Sequence, residues 1–117
     1  MGPSYRREDL ARPDALMTAL RSLFPDFGDD ELSQEVRSGD ANLHTVMREF
    51  SSSFSAASAE PSQLTGLASL IGECIAASDD LENAVGTCFL EHLRQIDKGG
   101  LLWKRLSPEV KAYVGAH

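Results

Sequence analysis

Residues 80–98 read DLENAVGTCFLEHLRQIDK, and the spacing of their apolar side chains decides the fold class. Drawn as one helix, the stretch carries a broad apolar face, and a further apolar residue, Leu90, points almost opposite to it. A helix that is apolar on two sides is usually packed by neighbours on both sides. The stretch therefore predicts a central helix over about residues 80–98. The face consists of Leu81, Ala84, Val85, Cys88, Phe89, Leu93 and Ile96, with His92 among them.

Two residues of this stretch leave alternatives open. Leu90 is either buried between neighbouring helices, which we expect, or an exposed apolar anchor for a partner protein. His92 lies in the middle of the apolar stripe. We expect a core histidine with a hydrogen-bond partner, and a polar role in a groove is the alternative.

Four helices are expected before this stretch. Pro13 suits the first turn of the first helix. Asp29 or Asp30 can cap a short second helix that ends at Gly39, and Asp40 can cap the third. The third helix has Leu43, Val46, Met47, Phe50 and Phe54 on one face. Residues 51–62, rich in Ser and Ala, predict a frayed end and a loop, and the fourth helix follows over about residues 62–77.

End signals complete the outline. Asp79 with Glu82 resembles a capping box at the start of the fifth helix, and Gly99-Gly100 can stop it. Ser107-Pro108 can begin a last helix. No stretch shows sustained alternation of period two. We therefore predict a flexible lead-in over residues 1–12 and a single compact all-α bundle of five to six helices over residues 13–117.

The 117 residues suffice for one domain that needs no disulfide or metal to fold. Both cysteines, Cys74 and Cys88, lie in apolar helical patterns, and we expect buried, reduced, metal-free thiols. Cys88 and His92 are four apart on a helix, and Cys74 and His44 could complete a tetrahedral set. The cysteine spacing matches no compact zinc pattern, so we expect no metal and no cofactor.

The sequence lacks the common catalytic signatures. The chain has no Gly-rich phosphate loop of the P-loop type, no H-E-x-x-H helix and no nucleophile elbow. The paired acids Asp29-Asp30 and Asp79-Asp80 each stand at a helix start, where capping accounts for them. We expect a protein that is not an enzyme. A deep pocket that joins His92 to a carboxylate and a thiol would favour the opposite conclusion.

Charge is unevenly distributed along the chain. Residues 26–97 carry fourteen acids and three arginines, a balance of −11, whereas residues 1–25 sum to +1 and residues 98–117 to +3. Such a centre repels nucleic-acid phosphate and anionic membrane, so we expect neither as a partner. The chain has no apolar run of about 20 residues and no apolar stretch behind its positively charged N-terminus, which favours a cytoplasmic location.

The acids also form a candidate binding surface. They are either a solvated surface or a docking face for a basic protein, and the second interpretation gives two groups of candidate partner-binding residues. The denser group is Asp26, Asp29, Asp30, Glu31 and Glu35, and the weaker group is Asp79, Asp80 and Glu82.

Residues 79–85 (DDLENAV), running into residues 88–93 (CFLEHL), resemble a family of small, helical, uncharacterised bacterial proteins. Compatible stretches lie at residues 23–25, 43–50 and 106–109. Members of that family often occur beside polymorphic-toxin genes and are taken to be immunity proteins. The resemblance implies a protein that binds and neutralises a cognate toxin, with a basic toxin or effector domain as partner. The alternative function is a helical adaptor, a regulatory subunit or a chaperone for a secreted effector.

Overall fold

Six α-helices of nine or more residues build the protein in the computed structural model, which describes residues 10–77 and 79–116. This part of the chain contains no strand, so the predicted all-α class is confirmed. The α-helices are α1 (Pro13–Leu23), α2 (Asp30–Ser38), α3 (Leu43–Ser53), α4 (Pro61–Ala77), α5 (Asp79–Cys88), the short α6 (Leu93–Ile96) and α7 (Pro108–Ala116). Three 3-10 turns lie at Ala56–Ser58, Leu90–His92 and Trp103–Arg105.

Local end signals place most of the helix boundaries. Pro13 is the first residue of α1. The Asp29 carboxylate accepts a hydrogen bond from the backbone N–H of Leu32 at 2.8 Å and caps α2. Gly39 ends α2 in the left-handed region with φ of 85°, and the Ser107 hydroxyl accepts from the N–H of Val110 at 3.2 Å at the start of α7. The helix α5 begins at Asp79, and the predicted capping box of Asp79 with Glu82 lies outside the description because the side chain of Asp79 is not described.

The start of α3 differs from the prediction. Asn42, not Asp40, is the N-cap, and it forms a reciprocal capping box with Thr45. Asp40 cannot cap because it still belongs to the end of α2. Its backbone N–H donates to the carbonyl of Glu35, and its carboxylate accepts from the Ser38 hydroxyl at 2.9 Å.

The core forms around α5, which packs most extensively against α4 and α3. Its inward residues Leu81 and Ala84 are fully buried. All five phenylalanines of the chain join one cluster against these helices: Phe24, Phe27, Phe50, Phe54 and Phe89. Such ring contacts add about 0.5–1.5 kcal/mol each beyond the burial of apolar area. The predicted central position of the fifth helix is therefore confirmed.

The predicted length of that helix is wrong. The helix ends at Cys88, because Phe89 leaves helical geometry with φ of −127° and ψ of −60°. The chain then continues through the 3-10 turn into α6. The break lets Phe89 and Leu90 both enter the core, at 0% and 4% exposure. It also turns His92 outward to solvent, so the expected core histidine is a surface residue.

The chain folds back on itself within a radius of gyration of 13.1 Å, close to the value of about 13.4 Å that is typical of one domain of this length. Residues 1–9 of the predicted lead-in lie outside the described residues, and Leu10, its tenth residue, is buried in the core. No helix in the described part of the chain is long and apolar enough to cross a membrane.

Candidate functional site

A groove of about 1170 Å³ lies where the end of α5, the 3-10 turn after it and α6 face α7. We call it the Trp103 groove. Its buried apolar side chains are Leu90 and Leu93. Leu90 therefore packs in the core, as expected. The other lining residues are Asn83, Gly86, Thr87, Glu91, Arg94, Asp97, Lys98, Gly100, Trp103, Tyr113, Val114 and Gly115.

Trp103 is the prominent side chain of this groove. Its side chain is 37% exposed, and no other large apolar side chain among the described residues is classed as exposed. The Nζ of Lys111 lies 5.8 Å from the centroid of its ring, within the range of a cation–π interaction. Arg94 and Lys98, both exposed, line the same groove, and neither forms a salt bridge with a described residue. Tryptophan and arginine are enriched at the positions that dominate the energy of protein interfaces, so this surface is a candidate binding site.

A buried carboxylate holds Trp103 in place. Asp97 is 5% exposed, and its two oxygens accept hydrogen bonds from the backbone N–H groups of Leu102 at 3.0 Å and Trp103 at 2.9 Å. Leu102 itself is fully buried. A buried carboxylate is stable only when hydrogen bonds satisfy it. Asp97 therefore works as a clamp that fixes the turn from which Trp103 projects.

Gly86 and Tyr113 form the contact between α5 and α7 in this groove. A Cβ on Gly86 would collide with the hydroxyl of Tyr113, so the glycine permits the close approach of the ring. Burial raises the pKa of Tyr113, and the carboxylates of Glu82 and Glu91 raise it further. Tyr113 is therefore a neutral phenol at physiological pH, with its polar end near two acids.

The thiols are not activated for catalysis. Cys88 Sγ lies 3.4 Å from Nδ1 of His44, whereas His92, the other histidine weighed as a co-ligand of Cys88, is exposed. Burial raises the pKa of Cys88, Arg48 lowers it and Glu91 raises it, with a net increase. Cys88 also ends α5, where the helix dipole disfavours a thiolate. This pair consequently lacks the low thiol pKa on which nucleophilic cysteines depend.

Cys74 and Cys88 differ in burial. Cys74 is buried as expected, and burial followed by the charge of Glu73 raises its pKa to about 12. Cys88 is only half-buried, so the expectation of a buried thiol is wrong there. Its position in the last turn of α5, next to the break at Phe89, leaves it at the edge of the core. No group of three or more potential metal ligands occurs among the described residues.

The predicted acidic surface lies on and before α2. Asp26, Asp30 and Glu31 are exposed and Glu35 is half-buried, and we call these four residues the acidic face. Asp29 is exposed as well, and one of its oxygens caps α2. Among the described residues, none of the four forms a salt bridge.

Two arginines next to the acidic face bond to backbone oxygens instead. Arg21 donates to the carbonyls of Phe27 and Gly28, at 2.8 and 3.2 Å. Arg37 donates to the carbonyl of Ser33 at 3.3 Å. These bonds fix the connection from α1 to α2 and the last turn of α2, and they leave the carboxylates of the acidic face without a bonded cation.

The structure brings some of the predicted binding residues together and separates others. Glu31 and Glu35 line one shallow depression of about 570 Å³, which Asp40 also lines. Of the second predicted group, Asp80 is exposed and Glu82 is half-buried, while the side chain of Asp79 lies outside the described part of the structure. Glu82 acts electrostatically on Tyr113, so it belongs to the surroundings of the Trp103 groove rather than to the acidic face.

A family model described as Domain of unknown function (DUF7674) matches residues 17–116. The chain belongs to this family. The matched region runs from within α1 to the last residue of α7 and includes the acidic face and the Trp103 groove. Comparisons with curated proteins and with solved structures give no match.

Sequence reasoning missed three residues of the Trp103 groove in this DUF7674 chain. No sequence pattern singles out Trp103 or Tyr113 as a binding residue. A signal for Asp97 does exist, since an Asp at a helix end before two glycines is a common turn residue. Nothing in the spacing indicates that residues 83–98 and 103–115 form two walls of one groove. His44 was noted only as a possible metal ligand.

Proposed function

We propose that this protein acts by binding another protein, and that the acidic face receives a basic partner. The observation that carries the proposal is the set of carboxylates on α2 that form no salt bridge with a described residue, although Arg37 lines the same depression as Glu31 and Glu35. The Asp29 side chain caps this helix, and Asp30 and Glu31 in its first turn also interact favourably with the helix dipole. Exposed acids in excess of that need can steer a partner of opposite sign.

The finer proposal is an immunity protein in the bacterial cytoplasm that neutralises a cognate toxin. Its support is the resemblance of residues 79–93 to a family of small bacterial proteins that are taken to be immunity proteins, together with the acidic face. Toxins that act on anionic substrates commonly need basic clefts, and an acidic plug would occupy such a cleft. The mechanism would be steric and electrostatic blockade, with no cofactor, no metal, no nucleic acid and no membrane involved, and without catalysis.

The test begins with capture of the partner from the native host. The rate at which this protein associates with the purified partner is then measured. Glu31→Lys combined with Glu35→Lys reverses the two acids that line the depression on α2. We expect the association rate at low salt to fall by about tenfold or more. The wild-type rate should also fall as salt rises, because salt screens exposed charges.

A matched control is Glu49→Lys combined with Glu109→Lys. This pair makes the same change in net charge, and Glu109 stands in the first turn of α7 as Glu31 stands in the first turn of α2. The control should associate at nearly the wild-type rate. Equal rates for both double variants would show that the acidic face does not dock the partner. Co-expression decides the finer proposal: the partner alone should arrest growth, and the wild-type chain should relieve the arrest.

A second candidate function, a helical adaptor, regulatory subunit or effector chaperone, is favoured by the Trp103 groove. A surface with an aromatic residue in an apolar groove suits the binding of a segment of another protein. A partner that is harmless when expressed alone would favour this candidate over the immunity protein.

A further inference from the structure

We propose that the Trp103 groove is a second docking site, which takes an acidic segment of a partner protein with an apolar anchor. It shares no lining residue with the depression on the acidic face. The inference therefore does not depend on the function proposed for α2. Its basis is the local charge around Trp103, the fixed position of that side chain and the shape of the groove.

The segment that carries Trp103 has a charge opposite to that of the chain as a whole. Residues 98–117 carry four cations and one acid in a chain of net charge −7. Lys111 lies beside the indole ring, and Arg94 and Lys98 line the groove from the opposing segment. Glu91 also lines the groove, Glu82 acts on Tyr113 at its wall, and the carboxylate of Asp97 is buried and accepts from two backbone N–H groups. Near the exposed indole, carboxylates of a docking segment would meet three cations against the two acids Glu82 and Glu91.

The fixed position of Trp103 indicates binding rather than accidental exposure. Asp97 clamps the turn by two hydrogen bonds, and the Arg105 guanidinium donates to the carbonyl of Leu101 at 2.7 Å on the same turn. These bonds fix the backbone from which the Trp103 side chain projects, and an aromatic side chain has only two rotatable bonds whose freedom a partner must restrict. Tryptophan and arginine are also the side chains that most often dominate the energy of protein interfaces.

The shape of the groove favours a segment over a flat surface. Two walls, residues 83–98 and 103–115, enclose about 1170 Å³ above Leu90 and Leu93. Apolar grooves between helices commonly take one amphipathic helix through side chains at helical spacing. The apolar anchor of the segment would rest on Trp103, and its acids would face Arg94, Lys98 and Lys111.

The test uses Trp103 as its own probe, since it is the single tryptophan of the chain. The ligand probe is a short amphipathic peptide with leucines at helical spacing and glutamates between them. Its counterpart has lysine at every glutamate position. We expect the acidic peptide to shift Trp103 emission to shorter wavelength in a saturable way, and the lysine peptide to leave it unchanged. An acidic peptide without effect up to about 1 mM, or equal responses to both peptides, would overturn the proposal.

Two sets of variants locate the binding, measured by the anisotropy of a labelled acidic peptide. Arg94→Glu combined with Lys98→Glu should weaken binding by about tenfold or more, which equals about 1.4 kcal/mol. Trp103→Ala should weaken it to a similar extent. Arg37→Glu combined with Arg48→Glu makes the same charge change on α2 and α3 and should bind nearly as the wild type does. Circular dichroism and urea unfolding identify variants that fail to fold.

A measurement on the protein alone tests the charge argument even if a variant fails to fold. With each quenching constant divided by the one measured for free N-acetyltryptophanamide, iodide should quench Trp103 more strongly than caesium does, because local cations attract the anion although the whole chain is acidic. A normalised caesium constant that equals or exceeds the normalised iodide constant would overturn the proposal. So would a self-associated form that Trp103→Ala dissolves, since the occupant would then be a second copy of this chain.

Discussion

Replacement of Asp97 by Ala is expected to destabilise the protein by about 3 kcal/mol. The carboxylate is 5% exposed and accepts from two backbone N–H groups, those of Leu102 and Trp103. Each hydrogen bond to a charged acceptor contributes about 1.5–3 kcal/mol, and the two share one acceptor, so their losses do not simply add. The N–H of Leu102 is buried and would be left without a hydrogen-bond partner. The N–H of Trp103 is only partly buried and can donate to water instead.

Urea unfolding followed by circular dichroism measures this change. For a chain of 117 residues the unfolding entropy is about 0.25 kcal/mol/K, so the melting temperature should fall by about 12 °C. Asp97→Asn should lie between Ala and wild type, because an amide accepts through one oxygen and presents its NH₂ to the other N–H. Trp103 emission should move to longer wavelength in both variants as the turn loosens.

Asp40→Ala is the matched control for Asp97→Ala. Asp40 also follows a helix and accepts a hydrogen bond, from Ser38, but it is exposed. Its replacement should change the free energy of unfolding by less than about 1 kcal/mol. If Asp97→Ala stays within about 0.5 kcal/mol of the wild type, the clamp makes no contribution and the argument for a fixed Trp103 fails with it.

Three further predictions concern the thiols, Gly86 and His92. A thiol reagent should modify Cys88 in the native protein and Cys74 only after unfolding. The reaction of Cys88 should be slower at neutral pH than that of free cysteine and should become faster as pH rises, because the pKa of Cys88 is raised. Two reactive thiols in the native protein would contradict the burial of Cys74. Gly86→Ala should destabilise the wild type by about 1 kcal/mol by displacing Tyr113, yet stabilise a Tyr113→Ala background by about 0.5–1 kcal/mol through helix propensity. The same sign in both backgrounds would refute the close contact. His92→Ala should change stability by less than about 0.5 kcal/mol, since the side chain is exposed; a thermal melt that shows a loss above about 1 kcal/mol would restore the core interpretation.

Most of the fold could be predicted because its signals are local. Pro13, Asp29, Gly39 and Ser107 act on backbone groups within four residues of themselves, so their effect does not depend on the rest of the fold. Asp40 failed as a predicted cap for a related reason. An acid that follows a helix can serve either the helix behind it or the helix ahead, and here its backbone N–H already closes α2.

The break after Cys88 could not be predicted from spacing. A helical projection assumes that the helix continues, so Leu90, opposite the apolar face, is taken as evidence that a second helix packs on that side. The protein buries Leu90 in another way. Leaving helical geometry at Phe89 places Phe89, Leu90 and Leu93 in the core together, and His92 then points to water. The polar residue inside the apolar stripe, His92, is the one that the break exposes.

The break also creates the Trp103 groove. Had the helix continued to residue 98, its side chains would have followed one straight axis. Because the chain turns at Phe89, Arg94 and Lys98 lie beside Trp103 and Tyr113 in one groove lining. Asp97, at the end of the displaced α6, reaches the N–H groups of residues 102 and 103. The departure from helical geometry at Phe89 thus has two consequences. It completes the core, and it brings two segments of the chain together to form the Trp103 groove.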